Sequence, residues 1–289
     1  MKGARISNFY FQRSVNGYKI INREQYMKNF LFLLITSIIA LIIGGAAQAE
    51  QLSADKIIEM ANDASYYAGK DGQASVRMTI TDSSGGTRVR EFMILRKNLD
   101  KKDQKFYIYF KAPADVRKMA YLVWKHAEGD DNRWLWLPAL NLKKRIAPGD
   151  KRTSFVGSDF FYEDVSGRGT GEDFHELVET DDTRYLIKNV PREPDSVEFS
   201  YYNVWISKET FLPEKAEYYD KNGRLYRRVE AKKVVTIQGH PTVTESVAVD
   251  LDAGTSTINR FENVKYDIGL KEKIFTERFL RRPPREVTR

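Results

Sequence analysis

The chain has 289 residues, a formal net charge of +7 and no cysteine, and 42% of its residues are hydrophobic. This length and composition allow a sizeable core, so wholesale disorder is excluded. Without cysteine, a disulfide framework, cysteine-based zinc sites, iron–sulfur clusters, a cysteine nucleophile and a lipid-modified N-terminal cysteine are excluded as well. Residues 50–289 contain 41 basic and 39 acidic residues, so the excess positive charge lies in the first 49 residues and we predict no nucleic-acid partner.

The first 49 residues are typical of an export signal. Residues 30–43 form an apolar run of fourteen residues, with Lys28 before it and a small-x-small pattern at 47–49. The run is short for a membrane span, which needs about 20 residues, and suits the hydrophobic region of a signal peptide. An uncleaved anchor that continues through residues 44–47 is the alternative.

The expected organisation has three parts. We expect Met27 to be the true start, with 1–26 an extension of the gene model and 27–49 a signal peptide that is cleaved between Ala49 and Glu50. Residues 50–289 are then a single domain, exported, soluble and periplasmic.

The exported part begins with a predicted helix over 54–68, capped by Ser53 and with Asp55 in its first turn. After it the pattern changes to short strands with turn residues between them, which predicts one large antiparallel sheet or open barrel. The strands are expected at 73–82, 87–97, 104–111, 119–126, 133–138, 142–147, 174–180, 184–190, 200–207, 213–220, 224–236, 242–251 and 255–266. We expect the basic, proline-containing tail at 281–285 to be frayed.

Several of these strands are apolar on both faces, although a one-sided antiparallel sheet should alternate. The strands at 104–111, 119–126 and 133–138 show this most clearly. Their second face needs either a further covering or a cavity, and an ordinary thick core remains the alternative for any one residue. In the first hairpin we expect Val89, Met93 and Leu95 to share a face with Val76, Met78 and Ile80. The candidate cavity residues are therefore Val76, Met78, Ile80, Val89, Met93, Leu95, Phe106, Ile108, Phe110, Leu122, Trp124, Trp134 and Trp136.

The segment 149–172 is rich in glycine and aspartate and contains four aromatic residues that could form a lid or mouth. These are Phe155, Phe160, Phe161 and Tyr162. The basic residues Lys143, Lys144, Arg145, Lys151 and Arg152 could hold anionic headgroups at the mouth of a cavity, or they could form a solvated strand face.

No catalytic or metal-binding motif is present, so we predict no catalytic residue, metal or cofactor and no enzymatic activity. The sequence has no nucleophile elbow, phosphate-binding loop or dinucleotide fingerprint. His126, His175 and His240 are isolated from one another. The acidic group Asp159, Glu163 and Asp164 could bind a cation or act as acid and base, but it fits a solvated loop better, because no electrophile or metal partner accompanies it.

Four segments of the chain match the pattern of one known protein family. Residues 133–140 read RWLWLPAL and are followed by KRI at 144–146. The most specific match is SFVGSDFFYED at 154–164. VWISKETFLP at 204–213 with YDKNG at 219–223, and FTERFL at 275–280, match later parts of the pattern. Together the four segments resemble the LolA-like outer-membrane lipoprotein-sorting proteins.

The resemblance covers about residues 53–282 and is closest to the subfamily encoded beside transporters of the resistance-nodulation-division type. It implies a mainly β fold with helices (α+β): a half-open antiparallel β-barrel lidded by helices, with a cavity for acyl chains. It also implies a periplasmic carrier of a lipid or lipoprotein, with an inner-membrane transporter as partner and an outer-membrane acceptor. A periplasmic lipid-sensing regulatory domain that binds a membrane partner is the alternative, and an enzyme acting on envelope lipids is a weaker one.

Overall fold

The computed structural model describes Lys28 and residues 52–288, so the predicted signal peptide and the predicted extension lie outside the described residues. Four α-helices occur among these residues: α1 (Ala54–Tyr66), α2 (Tyr162–Ser166), α3 (Arg278–Arg281) and α4 (Arg285–Thr288). Helix α1 begins as predicted, because the Ser53 side chain accepts a hydrogen bond from the backbone N–H of Lys56 at 3.2 Å. No helix in this part of the chain has the length and apolar character that a membrane span requires.

All thirteen strands join one sheet in which every neighbouring pair is antiparallel. Its order is β6-β5-β4-β3-β2-β1-β13-β12-β11-β10-β9-β8-β7, so two meanders meet at the β1–β13 pair. The edge strands β6 and β7 do not pair with each other, and the sheet forms the predicted half-open barrel. The strands are β1 (Asp71–Thr81), β2 (Thr87–Asn98), β3 (Gln104–Ala112), β4 (Ala120–Lys125), β5 (Asn132–Leu137), β6 (Leu142–Ile146), β7 (Asp173–Thr180), β8 (Arg184–Pro191), β9 (Phe199–Ser207), β10 (Pro213–Asp220), β11 (Leu225–Ile237), β12 (His240–Asp250) and β13 (Thr255–Tyr266).

The register of the β1–β2 hairpin differs from the expected one. Val76 lies opposite Phe92 and Met78 opposite Arg90, because Asp82 and Gly86 pair across a tight loop in which Gly85 has a φ of +86°. The expected register counted four residues in the turn, and a shift by one residue moves every side chain to the other face. The prediction that Val89, Met93 and Leu95 share a face with Val76, Met78 and Ile80 is therefore wrong.

The inner face of the sheet carries two clusters of buried side chains. The first joins β1–β5 to the segment between β6 and β7 and includes Val76, Phe110 and Tyr121. The second joins β8–β10 to α1 through Ile57 and Ala61. Helix α1 thus covers the part of the inner face that β8–β10 form.

The outer face of β2–β5 is buried beneath residues 270–287. Leu270, Phe275, Leu280 and Val287 pack there against the tryptophans and tyrosines of these strands. The backbone carbonyls of Phe275 and Phe279 accept hydrogen bonds from the Trp124 indole (2.8 Å) and the Tyr107 hydroxyl (2.7 Å). The strands are apolar on both faces because each face has its own covering. The prediction of a frayed tail is wrong, since Pro284 and Val287 are buried.

Candidate functional site

A cavity of about 490 Å³ lies between the inner face of the sheet and α1. Nine strands contribute to its walls, namely β1–β3, β7 and β9–β13. Its volume falls within the range of about 300–1,000 Å³ that is usual for sites that hold small molecules.

The walls of the cavity are mainly aliphatic and aromatic. Helix α1 contributes Ile58, Ala61 and Ala64, and the segment between β6 and β7 contributes Phe155, Phe160 and Val165. The sheet contributes Ala74, Met78, Phe92, Ile94, Phe106, Ile108, Val204, Ile206, Ala216, Val229, Ala231, Val243, Phe261 and Val264. Such a surface buries apolar ligand area without imposing one direction on the ligand.

The C-terminal end of α1 is fastened to β2 and β3 at one side of the cavity. Arg96 donates hydrogen bonds to the carbonyls of Tyr66 and Ala68, and Gln104 donates to the Tyr66 carbonyl at 2.7 Å. A cation at this end of a helix complements the helix dipole. Burial lowers the pKa of the Arg96 guanidinium, which faces the cavity.

Residues 147–172 connect the two edge strands and form another wall; we call them the crossing segment. Phe155 is buried, with ring centroids 5.4 Å from Tyr121 and 5.5 Å from Tyr162. Gly167 has a φ of +78°, and a Cβ there would lie 2.6 Å from the ring of Tyr66. The crossing segment is thereby packed against the first half of the sheet and against α1.

An ion-pair network holds the middle of the crossing segment. Glu163 is buried and accepts hydrogen bonds from Arg152 (2.7 Å) and Arg168 (3.3 Å). Arg168 also forms a bidentate pair with Asp173 of β7, at 2.8 and 2.9 Å. Burial alone would raise the pKa of the Glu163 carboxyl, but Arg152, Arg168 and Lys151 lower it to about 2. The Glu163 side chain is therefore a buried, ionised carboxylate. The prediction of a solvated loop is wrong for Glu163.

The same segment is attached to the second half of the sheet. Asp164 forms an ion pair with the buried Arg227 of β11. Asp159 accepts hydrogen bonds from the hydroxyls of Thr255 (2.5 Å) and Thr257 (2.6 Å) of β13. The residues of the SFVGSDFFYED motif thus join the two meanders across the inner face.

The structure divides the thirteen candidate cavity residues between the two faces of the sheet. Met78, Phe106 and Ile108 line the cavity. Val76, Ile80 and Phe110 lie on the same inner face, in the cluster of buried side chains beside it. The remaining seven point to the outer face, where most of them pack beneath the C-terminal residues: Val89, Met93, Leu95, Leu122, Trp124, Trp134 and Trp136.

The four candidate lid residues are also divided. Phe155 and Phe160 line the cavity, whereas Tyr162 packs against Tyr121 beside it. Phe161 lines a smaller pocket of about 260 Å³. The guanidinium carbon of Arg227 lies over the Phe161 ring, 4.1 Å from the centroid of that ring.

The five basic residues singled out from the sequence do not form one patch. Lys151 and Arg152 belong to the ion-pair network around Glu163, and Lys143 pairs with Glu277. Lys144 and Arg145 are exposed on the edge strand β6.

Sequence reasoning missed the cavity residues of α1 and of β9–β13. Helical spacing in the sequence places Ile57, Met60, Ala61 and Ala64 on one apolar stripe of α1, but Ile58 and Asn62 beside this stripe face the cavity too. On β13 the inward positions include Thr257 and Asn259, opposite Ile80 and Met78, so polarity did not mark the solvent face. Within residues 52–288 no group of three or more histidine, aspartate or glutamate side chains is arranged to hold a metal ion.

Comparison with known proteins places the chain in a family. A family model described only as "uncharacterized protein"-like matches residues 102–282. The chain is 30% identical to a DUF1329 family protein of known crystal structure from Desulfovibrio piger, over 78% of this chain and 95% of that one, with a TM-score of 0.70. The chain belongs to the DUF1329 family. No curated protein matches this DUF1329 family member.

Two further structures share the fold. A domain from Vibrio parahaemolyticus that is named for outer-membrane lipoprotein sorting has a TM-score of 0.73 at 24% identity, over 80% of this chain and all of that one (100%). A LolA superfamily protein from Nitrosomonas europaea has a TM-score of 0.62 at 20% identity, over 79% and 99% of the two chains. The predicted LolA-like fold is confirmed, while membership of the transporter-associated subfamily stays a prediction.

Proposed function

We propose that the protein is a periplasmic carrier that shields the acyl chains of a lipid or lipoprotein in its cavity. The observation that carries the proposal is the cavity of about 490 Å³ with aliphatic and aromatic walls. An acyl chain in water costs about 0.8 kcal/mol per methylene group, so a two-chain lipid needs such a shelter to cross an aqueous compartment.

The likeness to a domain named for lipoprotein sorting supports this function. The further parts of the proposal are a signal peptide cleaved before Glu50, an inner-membrane transporter that donates the cargo and an outer-membrane acceptor that receives it. We further propose that the protein catalyses no reaction on the cargo, and that residues 50–289 act as a single domain. Met78, Phe106, Ile108, Phe155 and Phe160 are the candidates from the sequence that contact the acyl chain.

The test is to express the full chain with its own N-terminal region, purify the product from periplasm and identify bound molecules by native mass spectrometry. We expect diacyl lipid or acylated protein at a fixed stoichiometry. The purified protein is then delipidated and titrated with myristic acid, which should bind with saturation. A protein that purifies without lipid and does not bind the fatty acid would not be a carrier of acyl chains.

A further inference from the structure

The cavity wall contains a partly buried cation that no carboxylate neutralises. Arg96 of β2 lines the cavity, and no described carboxylate forms an ion pair or a hydrogen bond with its guanidinium. Asp71 and Asp267 act on it only through space. Asp71 accepts hydrogen bonds from the backbone N–H groups of residues 268–270, and Asp267 accepts one from another backbone N–H group. Withdrawing an unpaired charge from water is costly, so this cation requires an explanation.

The attachment of α1 to β2 does not require the charge of Arg96. Neutral side chains hold the same end of the helix, since Gln104 donates a hydrogen bond to the Tyr66 carbonyl at 2.7 Å. Asn98 donates another to the Gly69 carbonyl at 2.7 Å. The two hydrogen bonds of Arg96 to this end use two of the five N–H groups of a guanidinium. Its Nε atom has no hydrogen-bond partner among the described residues and is not enclosed, so Arg96 has a donor left for a ligand.

Arg96 lies where β1 begins and β13 ends, at a place where the cavity wall changes from polar to apolar. Arg96, Gly72 and Tyr266 are directly opposed on β2, β1 and β13, and all three line the cavity. Because Gly72 has no side chain, the space between the other two stays open, and a Cβ there would lie 3.3 Å from the Tyr266 ring. The next inward pair on β2 and β1, Ile94 and Ala74, is apolar. An amphiphile can therefore lay its chain along the apolar wall with its polar end at Arg96.

We infer that Arg96 is the counter-ion for an anionic oxygen group at the end of the cargo, either the carboxylate of a free fatty acid or the phosphate of a lipid. The inference rests on the proposed function and narrows its ligand class. A guanidinium matches the geometry of carboxylate and phosphate oxygens, and hydrogen bonds between charged groups are stronger than those between neutral groups. A neutral ester of the same chain length leaves the cation unpaired and therefore gains less on binding.

The experiment compares probes of one chain length on the delipidated full-length protein at neutral pH, below the concentrations at which the probes aggregate. Myristic acid, tetradecyl phosphate and methyl myristate are titrated against the wild type, Arg96→Gln and Arg96→Lys. We expect the wild type to bind at least one anionic probe about tenfold more tightly than methyl myristate. Arg96→Gln should lose this preference and keep its affinity for methyl myristate, whereas Arg96→Lys should keep part of the preference. Which anionic probe binds more tightly distinguishes the carboxylate from the phosphate.

The matched control is Arg90→Gln, which removes a guanidinium from the same face of β2. Arg90 lies opposite Met78 and is not among the residues that line the cavity. This variant should keep the wild-type preference for the anionic probe. Thermal melting of all three variants accompanies the titrations.

A measurement on the wild type alone tests the inference even where Arg96→Gln does not fold. The pKa of the preferred anionic probe is measured in its bound state, by carbon-13 NMR of a labelled carboxyl group or by phosphorus NMR of the phosphate. A guanidinium beside the anion lowers this pKa below that of the unbound monomer, whereas an apolar site without a cation raises it.

The outcomes separate the inference from the function on which it rests. If methyl myristate binds as tightly as both anionic probes, if Arg96→Gln keeps the preference, or if the pKa of the bound probe is raised, the inference is wrong and the carrier function stands. If no probe binds to the wild type, both are wrong.

Discussion

Ile94 and Leu95 are neighbours in β2, yet Ile94 lies in the cavity wall and Leu95 is buried under the C-terminal residues on the opposite face. Leu95 is fully enclosed by packed neighbours, whereas Ile94 is only partly buried. The two positions therefore separate ligand binding from folding within a single strand.

The first prediction uses this pair. Ile94→Asn should lower the amount of bound lipid strongly while the melting temperature changes little, since the new side chain meets ligand or water. Leu95→Asn should cost several kcal/mol, because a polar group is buried there without a partner. Lipid content and thermal melting are measured on the same preparations. Equal loss of stability in the two variants would show that Ile94 is an ordinary core residue.

The second prediction concerns space in the cavity. Ala231→Trp places a bulky side chain in the cavity, so bound lipid should fall while the free energy of unfolding changes by less than about 1 kcal/mol. The control is Ala120→Trp, at a fully buried position on the outer face, which should lose about 1–3 kcal/mol or more through overpacking. Undiminished lipid content in a folded Ala231→Trp protein would place the ligand elsewhere.

The third prediction concerns pH. Burial raises the pKa of the Glu163 carboxyl, but Arg152, Arg168 and Lys151 outweigh this effect and lower the pKa to about 2. The pKa of this carboxyl is therefore lower in the folded protein than in the unfolded chain. A carboxyl with a lowered folded pKa contributes stability that is complete above its unfolded pKa and is lost as the pH falls toward the folded value. The contribution is about 3 kcal/mol at neutral pH. Denaturant unfolding of wild type and Glu163→Gln should differ by this order at pH 7, and the difference should narrow from about pH 5 toward pH 2. A difference that is constant with pH would mean that Glu163 does not act through its charge.

The fourth prediction concerns the C-terminal residues. Phe275→Ala should cost about 3–5 kcal/mol, because Phe275 is completely buried against the outer face of the sheet. Phe174→Ala, at a position that is 56% exposed on the edge strand β7, should change stability by less than about 0.5 kcal/mol. Urea unfolding of the two variants measures both values. If Phe275→Ala were as mild as its control, the ordered tail would contribute little to the fold.

The fifth prediction concerns processing. The apolar run at 30–43 and the small-x-small pattern at 47–49 predict a mature chain that begins at Glu50. The intact mass of the exported protein measures this directly. A membrane-bound product that retains residues 27–49 would favour the uncleaved anchor instead.

The strands could be predicted from the sequence to within two residues, because short β-rich runs are separated by clear turn residues. The side of the sheet to which their residues point could not be predicted with the same success. In the first hairpin, the face to which each side chain points depends on the turn. The loop closes at Asp82 and Gly86, and a closure one residue further along would have moved every side chain to the other face. In β3–β5 both faces are apolar, so the pattern contained no information about which face meets the cavity.

The sequence predicts that an apolar cavity exists, but it does not predict the full set of residues that line it. Its walls combine residues from α1, the crossing segment and nine strands, and long-range pairs such as Met78 with Asn259 depend on the β1–β13 register. The burial of Glu163 could not be foreseen either. Its partners Arg152 and Arg168 lie close by in sequence, but only the packed crossing segment reduces the exposure of all three side chains to 10% or less.

The pairing of β1 with β13 also has a consequence for the order in which the molecule forms. Within each meander, consecutive strands pair through short loops, and such local contacts form early. The seam between the meanders joins β1 to β13, which are the first and last strands in chain order. Its closure therefore has the entropic cost of closing a loop that contains β2 to β12. During synthesis from the N-terminus, β1 keeps an unpaired edge until β13 has emerged, and such an edge is prone to pair with other chains. The step most exposed to aggregation is therefore the late closure of this seam.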